Sequence, residues 1–229
     1  VCCSVGLVAA SASAQSQVHA QKWPERPVRI VIGFSAGSST DFTARVIGPK
    51  LSELWKQPVV YENRSGAGGS LANAMVAKAT PDGYTLSMIS ASFAVNAVLS
   101  AKAPYDPVKE FAAVAQVGYS TSVLTISSSL GIKTVKELIA MANASPGKFF
   151  FGSTGAGSGT HMTTVRFNMA AGIKPTHVAF KGQPELLIEI VTGRVHFGIP
   201  GLGAALPMIR EGKLVPLAVV AQKDETQLP

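Results

Sequence analysis

Short apolar runs alternate with amphipathic stretches along most of the chain. The first run, at residues 28–34 (VRIVIGF), is rich in β-branched residues and predicts a buried strand. A loop of Gly, Ser and Ala follows at residues 35–40, and Thr40 or Asp41 then opens a helix. The same order returns at residues 149–165, where an apolar strand leads through a glycine-rich loop into a helix. The repeated pattern predicts two lobes that each contribute one strand–loop–helix opening to a common cleft.

The rest of the chain continues this alternation. Further strands are predicted at residues 58–62, 85–89, 113–117, 123–126, 177–180, 195–199 and 214–220. Further helices are predicted at residues 70–78, 93–100, 134–145, 184–192 and 203–211, with a capping box from Thr134 to Glu137. Gly48-Pro49 falls inside the first helical pattern and predicts a kink or a split there. Alternating strands and helices favour an α/β fold with parallel sheets, which bind ligands beyond the carboxyl ends of their strands.

The N-terminal stretch has a composition of its own. Residues 1–14 (VCCSVGLVAASASA) are small and apolar, and they resemble the hydrophobic region of a secretory signal with a cut after Ala14 or Ala20. A free N-terminal tail is the alternative. Both cysteines, Cys2 and Cys3, lie in this stretch, so a processed chain would be exported without thiol or disulfide chemistry.

Composition narrows the function classes. Of the 229 residues, 47% are hydrophobic and 14% are charged, which indicates a large core and argues against disorder. The formal net charge of +7 comes from scattered Lys and Arg without aromatic residues between them. This distribution gives a general bias toward anionic solutes and no nucleic-acid footprint.

The two small-residue loops are candidate anion sites. Without bulky side chains, a ligand reaches backbone N–H groups at the positive end of a helix. An ordinary strand-to-helix turn is the alternative for either loop alone. One helix end stabilises an anion by at most about 2 kcal/mol, whereas micromolar binding requires about 8 kcal/mol. Both loops are therefore expected to act on one ligand, with Asp41 in a structural capping role and not as a ligand contact.

Other chemistries receive little support from the residues. Gly155, Gly157 and Gly159 form GxGxG and not GxGxxG, and the next strand ends in Phe180-Lys181 without an acidic residue, so no nucleotide is expected. The GxSxG spacing occurs once, at Gly33, Ser35 and Gly37, so a hydrolase that uses a loop serine stays open as an alternative. The histidines share no metal-ligand spacing, so neither a metal nor a cofactor is expected. His161 is either a ligand contact or a solvent-facing residue at a helix start.

Motifs in a fixed order carry a resemblance that covers residues 23–229. The chain reads WPERPVRIVIGFSAGSSTDFTARVI, QPVVYENRSGAGG, PDGYTLSM, PYDPVKEFAAVAQV, TVKELIAMANASPGKFFFGSTGAGSGTH, VAFKG and ALPMIREGKLVPLAV. In this order and spacing it resembles the substrate-binding proteins of tripartite tricarboxylate transporters, the Bug family. The resemblance implies a two-lobed periplasmic-binding-protein-like fold of type II, with a mainly parallel sheet in each lobe. It implies lobes at residues 23–120 and 121–229, and a missing C-terminal part that would return to the first lobe.

The resemblance also implies a function and a site. The protein would be a monomeric, non-enzymatic periplasmic receptor that closes over a small organic acid and delivers it to membrane permease subunits. The acid could be a di- or tricarboxylate, an aromatic acid or an amino acid. The implied ligand-binding residues are Phe34, Ser35, Ala36, Gly37, Ser38, Ser39, Thr40, Asp41, Gly66, Ala67, Gly68, Gly69, Ser90, Ala91, Ser92, Thr154, Gly155, Gly157, Ser158, Thr160, His161, Lys181, Gly182, Pro200 and Gly201.

Two other functions stay open at this stage. One is a periplasmic hydrolase or transferase that uses a loop serine, and the other is a sensor subunit that signals to a membrane kinase. An aromatic acid could be bracketed by Phe34, Phe93 and Phe180, although core packing is the default for all three.

Overall fold

The computed structural model describes residues 23–100 and 103–221. The proposed signal region and its cysteines, together with residues 222–229, lie outside the described residues. Within the described part of the chain, no helix combines the length and apolarity needed to cross a bilayer.

The first lobe is a small parallel sheet with helices packed against it. Its elements are β1 (Val28–Ile32), α1 (Ser39–Trp55), β2 (Val59–Asn63), a 3-10 turn (Ala67–Gly69), α2 (Ser70–Ala77), β3 (Thr85–Met88) and α3 (Ser92–Leu99). The strand order is β2-β1-β3, and both pairings are parallel. The buried Ile30, Ile32 and Ala44 form the centre of its core. All three strands therefore end on the same side of the lobe.

The second lobe is a larger, mixed sheet. Its elements are β4 (Ser122–Ser127), a 3-10 turn (Ser128–Leu130), α4 (Val135–Ala144), β5 (Phe150–Ser153), α5 (Gly159–Ala171), β6 (Thr176–Ala179), α6 (Gln183–Val191), β7 (Phe197–Gly198), α7 (Leu202–Arg210) and β8 (Leu214–Val220). The strand order is β6-β5-β7-β4-β8. Buried Leu124, Ile126, Phe149, Phe151 and Phe197 form one side of its core. A second cluster around Leu186 and Ile190 fills the space beneath α6 and α7.

The predicted α/β fold with two lobes is confirmed, with three corrections of detail. β4 runs antiparallel to both β7 and β8, so the second sheet is not wholly parallel. The predicted strand at residues 113–117 is absent, and residues 112–120 form an exposed segment without regular secondary structure. No described strand pairs with it, and a strand needs a partner for its backbone groups. Helix α1 is also not split, because it continues through Pro49 to Trp55.

Candidate functional site

A cavity of about 510 Å³ lies between the two lobes, beyond the carboxyl ends of β1, β3 and β5. Its wall carries many hydroxyl groups: Ser38, Ser39, Thr40, Thr43, Ser90, Ser120, Ser122, Thr154, Thr160 and Thr163. The other lining residues are Phe34, Met88, Ile89, Ala91, Gln116, Val117, Gly118, Tyr119, Gly159, Gln183 and Gly201. None of these described lining residues has a charged side chain.

Two loops with the same local structure face each other across this cavity: the first-lobe loop (residues 35–40) and the second-lobe loop (residues 154–160). In the first, Ser38 is the N-cap of α1, with φ −69° and ψ 162°, and its hydroxyl accepts from the N–H of Asp41. In the second, Ser158 is the N-cap of α5, with φ −68° and ψ 161°, and it accepts from the N–H of His161. The shared sequence Gly-Ser-x-Thr produces this similarity, because a glycine with positive φ precedes each cap.

Each loop leaves two backbone N–H groups available at the cavity. The N–H groups of Ser39 and Thr40 have no acceptor among the described residues, and neither have those of Gly159 and Thr160. These are the first two helical residues of α1 and α5, whose N–H groups have no intrahelical partner. All four residues line the cavity, two from each lobe.

Three further helices begin at the same wall. Ala91 precedes α3, Gln183 is the first residue of α6, and Gly201 precedes α7. Each helix N-terminus carries about half a positive charge. The cavity therefore has a positive potential from backbone dipoles, together with hydroxyl donors, and this arrangement suits an anion.

The two lobes also touch directly beside the cavity. The Ser39 hydroxyl donates to Gln183 Oε1 at 3.0 Å, and the Ser35 hydroxyl donates to Glu185 Oε2 at 3.0 Å. On another side, Gly68 lies so close to the second-lobe loop that a Cβ there would be 2.7 Å from the Ala156 carbonyl oxygen. The lobes are therefore in a closed arrangement.

Comparisons with known proteins show the family and the fold of the chain. The sequence profile described as "Tripartite tricarboxylate transporter family receptor" matches residues 43–229. The chain belongs to this family. It is 34% identical over 227 residues to Protein BugT of Bordetella pertussis, covering 98% of this chain and 70% of BugT.

Two solved structures extend the comparison. Rpa4515 of R. palustris, solved with adipate, has a TM-score of 0.83 and 36% identity, covering 88% of this chain and 68% of that one. MatC from Rhodopseudomonas palustris, solved with bound malate, has a TM-score of 0.81 and 30% identity, covering 88% and 69%. The chain thus spans about two thirds of these relatives, and it is a Bug-type periplasmic solute-binding receptor in fold and family.

In this receptor, the structure brings part of the predicted residue set to the cavity. The predicted residues that line it are Phe34, Ser38, Ser39, Thr40, Ser90, Ala91, Thr154, Thr160 and Gly201. The other predicted residues do not line it: Ser35, Ala36, Gly37, Asp41, Gly66, Ala67, Gly68, Gly69, Ser92, Gly155, Gly157, Ser158, His161, Lys181, Gly182 and Pro200. Several of these shape the loops or the contact between the lobes, whereas Lys181 is exposed to solvent.

Several lining residues were missed by the sequence reasoning. Thr43 and Thr163 lie about one turn into α1 and α5, so helical spacing from each loop could have found them. Gln183 opens α6 next to Pro184, a start signal that was visible in the sequence. Residues 116–120 line the cavity because an irregular segment passes beside it. The sequence of this segment has no hydrophobic periodicity from which its position could have been predicted.

Of the three phenylalanines that could contact an aromatic acid, only one lines the cavity. Phe34 lines the cavity. Phe93 instead stacks on Tyr105 at 5.2 Å and meets Phe111 edge-on at 4.9 Å. Phe180 packs against the core cluster that contains Leu186. Phe93 and Phe180 are therefore packing residues, which was the default interpretation.

Asp41 supports the first-lobe loop from behind the wall. Its carboxylate accepts hydrogen bonds from the Gly37 N–H at 2.9 Å, Arg45 Nε at 2.9 Å and Asn63 Nδ2 at 3.0 Å. Burial alone would raise the pKa of Asp41, but these hydrogen bonds and the charge of Arg45 outweigh it and lower the pKa below its ordinary value. The N-cap of α1 is Ser38, so the prediction that Asp41 caps this helix is wrong; Asp41 is the third helical residue, and its carboxylate holds the loop N–H of Gly37.

Replacing Asp41 should destabilise the first-lobe loop and change the pH dependence of the free energy of unfolding. We expect Asp41→Asn to lower the free energy of unfolding at pH 7 by about 2 kcal/mol, because hydrogen bonds to a charged group are lost. Since the folded-state pKa is depressed, the carboxylate's contribution is present above the ordinary pKa of 3.8 and is lost as pH falls through the lower folded-state value. Urea unfolding of the wild type and of Asp41→Asn, at pH 7 and at pH 3, measures the difference in free energy of unfolding. Equal differences at the two pH values would contradict the role assigned to the Asp41 carboxylate.

Proposed function

We propose that this chain captures a small organic carboxylate in the cavity between its lobes and delivers it to the permease of a tripartite tricarboxylate transporter. The observation that carries the proposal is a set of four N–H groups without an acceptor among the described residues; they belong to Ser39, Thr40, Gly159 and Thr160, which line one cavity from two lobes. A carboxylate oxygen accepts such N–H groups well, and a positive backbone potential stabilises its charge.

The free energy that one helix end contributes to anion binding is too small for a receptor, which supports a binding site formed by both lobes. A partly buried helix end contributes up to about 2 kcal/mol to anion binding, and a micromolar receptor needs about 8 kcal/mol. No single helix end reaches this value. Several helix ends, together with the hydroxyls of both loops, reach it when the lobes close and water leaves the cavity.

The class of acid is also a proposal. Adipate and malate occupy two relatives of similar fold. In this chain Phe34, Met88 and Ile89 give part of the wall an apolar character beside the hydroxyl groups. We therefore propose a dicarboxylate with a short methylene chain as the ligand, with aromatic acids as the second candidate class.

Calorimetry and thermal-shift measurements on the 229-residue chain test the proposal. The panel contains adipate, malate, citrate, benzoate and aspartate, with adipamide as the uncharged control for adipate. We expect at least one acid to bind with a micromolar dissociation constant and adipamide to show no binding. At 100 times the dissociation constant the ligand adds about 2.7 kcal/mol of stability. Failure of every acid to bind would contradict the proposal.

Catalysis by a loop serine is the rival function, and the described serine whose hydroxyl contacts a histidine ring is Ser153, the last residue of β5. Ser153 Oγ lies 2.7 Å from His177 Nε2, the spacing of a nucleophile and its base. Ser153 is fully buried, however, and neither residue lines the cavity. We propose a receptor without catalytic turnover. Hydrolysis of an adipate ester that Ser153→Ala abolishes would favour the enzyme instead.

Transport and sensing differ in the partner and not in the cavity. We propose two membrane permease subunits as the partners. Genes for such subunits beside this gene would support transport, whereas a gene for a membrane histidine kinase would support a sensor. Uptake of the bound acid by cells that carry or lack this gene is the direct measurement.

A further inference from the structure

The two loops are held from behind by residues of different chemistry. In each loop the third helical residue reaches back to the N–H of the glycine before the N-cap. In the first-lobe loop Asp41 Oδ2 accepts from the Gly37 N–H at 2.9 Å. In the second-lobe loop His161 Nδ1 accepts from the Gly157 N–H at 3.3 Å. The same bond is thus made once by a carboxylate and once by an imidazole.

His161 belongs to a small cluster of rings beneath the second-lobe loop. Its ring centroid lies 4.3 Å from that of His177 on β6, and the His177 ring stacks on Phe151 of β5 at 4.8 Å. His177 Nε2 lies 2.7 Å from Ser153 Oγ, which also accepts from the Gly155 N–H at 3.2 Å. The two histidines therefore reach two glycines of the loop, Gly157 directly and Gly155 through Ser153.

The bond to Gly157 defines the protonation state of His161. An imidazole nitrogen accepts a hydrogen bond only when it carries no proton, so Nδ1 is bare and the proton of the neutral ring is on Nε2. A proton added to Nδ1 would turn this acceptor into a donor that faces another donor. Burial lowers the pKa of His161, and burial together with the charge of His161 lowers that of His177 to about 4.

We propose that His161 is the positioning residue of the second-lobe loop, and that its protonation releases the Gly157 N–H and loosens this loop while the first-lobe loop stays in place. The loss of ligand affinity that follows rests on the proposed function, whereas the release of the loop does not. The groups that face His161 are His177 from β6, Phe151 from β5 and the Gly157 N–H from the loop itself. Neither His161 nor His177 forms an ion pair with a described residue, whereas Asp41 is paired with Arg45.

Nuclear magnetic resonance of the 229-residue chain tests the release directly. Long-range proton–nitrogen correlations of the imidazoles give the tautomer of His161, and the amide signals of Gly157 and Gly37 are followed from pH 8 to pH 4. We expect the Nε2–H tautomer at pH 8, and a Gly157 shift that follows the titration of His161. Amide-exchange protection of Gly157 should fall about tenfold, the equivalent of one lost hydrogen bond. Gly37 should keep its protection.

Two variants separate positioning from simple packing. The side-chain oxygen of Asn can replace Nδ1 as the acceptor but does not titrate, so His161→Asn should keep Gly157 protected down to pH 4. His161→Ala should leave Gly157 unprotected at every pH. A Gly157 amide that ignores the titration of His161, or an Nδ1–H tautomer at pH 8, would overturn the proposal.

Adipate titration adds the functional consequence. At pH 7.5 His161→Ala should bind adipate about tenfold more weakly than the wild type, and His161→Asn should bind it equally well. If adipate binds none of the three proteins while the Gly157 signals behave as expected, the proposed function fails and the positioning role stands. Equal adipate affinities for all three proteins would show that the position of the second-lobe loop does not control ligand affinity.

Discussion

Gly159→Asp is expected to weaken carboxylate binding about a hundredfold while raising the melting temperature of the protein. Gly159 is the first residue of α5, it lines the cavity, and no atom lies within 4 Å of a Cβ placed on it. An acidic residue at a helix start stabilises the folded chain by about 0.3–1 kcal/mol. The same charge repels a bound carboxylate. At about 5 Å and an effective dielectric constant near 20, this repulsion is about 3 kcal/mol, or roughly two orders of magnitude in affinity.

Gly159→Asn is the matched control for this result. It has nearly the same size and shape as the aspartate variant but carries no charge. Calorimetry with adipate should show a modest loss of affinity for Gly159→Asn and a loss of about a hundredfold for Gly159→Asp. Thermal unfolding should show Gly159→Asp as the more stable of the two variants. Equal affinities for the two variants would mean that the helix start does not face the ligand's charge.

Gly157→Ala is expected to weaken ligand binding at least tenfold by holding the lobes apart. Gly157 has a φ of +74°, which costs an L-residue roughly 1–2 kcal/mol. A Cβ on Gly157 would also overlap Asn96 Oδ1, which belongs to α3 of the first lobe. The backbone strain at residue 157 destabilises the second lobe in any arrangement of the lobes, whereas the overlap with Asn96 destabilises only the closed arrangement. Adipate affinity and the free energy of unfolding, both measured on the variant, report the two effects.

Two further variants separate strain from closure. Gly172 has a φ of +67° with open space around its Cβ, so Gly172→Ala should destabilise the chain by a similar amount without changing ligand affinity. Adding Asn96→Ala to Gly157→Ala removes the overlap and should restore most of the affinity, although it also removes the Asn96 hydrogen bond to the Gly68 carbonyl. No recovery in the double variant would show that Asn96 does not limit closure.

The sequence predicts those parts of the fold that depend on local chemistry. The capping box at Thr134 and Glu137 forms with both of its hydrogen bonds, and β8 spans Leu214–Val220 as predicted. Both glycine-rich loops also lead from a strand into a helix as predicted, although the caps are Ser38 and Ser158, which the sequence analysis did not identify as caps. At the helix caps, side chains close in sequence satisfy nearby backbone groups, so a short window of sequence contains the information.

The remaining features depend on distant neighbours. Nothing within β4 indicates that it runs antiparallel to β7, because strand direction follows from the path of the chain between them. Residues 113–117 have a strand-like sequence but no described partner strand. The wall residues Gln116 and Tyr119 similarly reach the cavity because the segment between the lobes passes its mouth.

The central claim is that one carboxylate is bound by backbone N–H groups from both lobes. A crystal structure of the 229-residue chain with adipate tests it most directly. We predict a carboxylate whose oxygens lie within about 3.2 Å of N–H or hydroxyl groups in both loops, among them the N–H groups of Ser39, Thr40, Gly159 and Thr160. A carboxylate that contacts only one loop, or that binds outside the cavity, would contradict the claim.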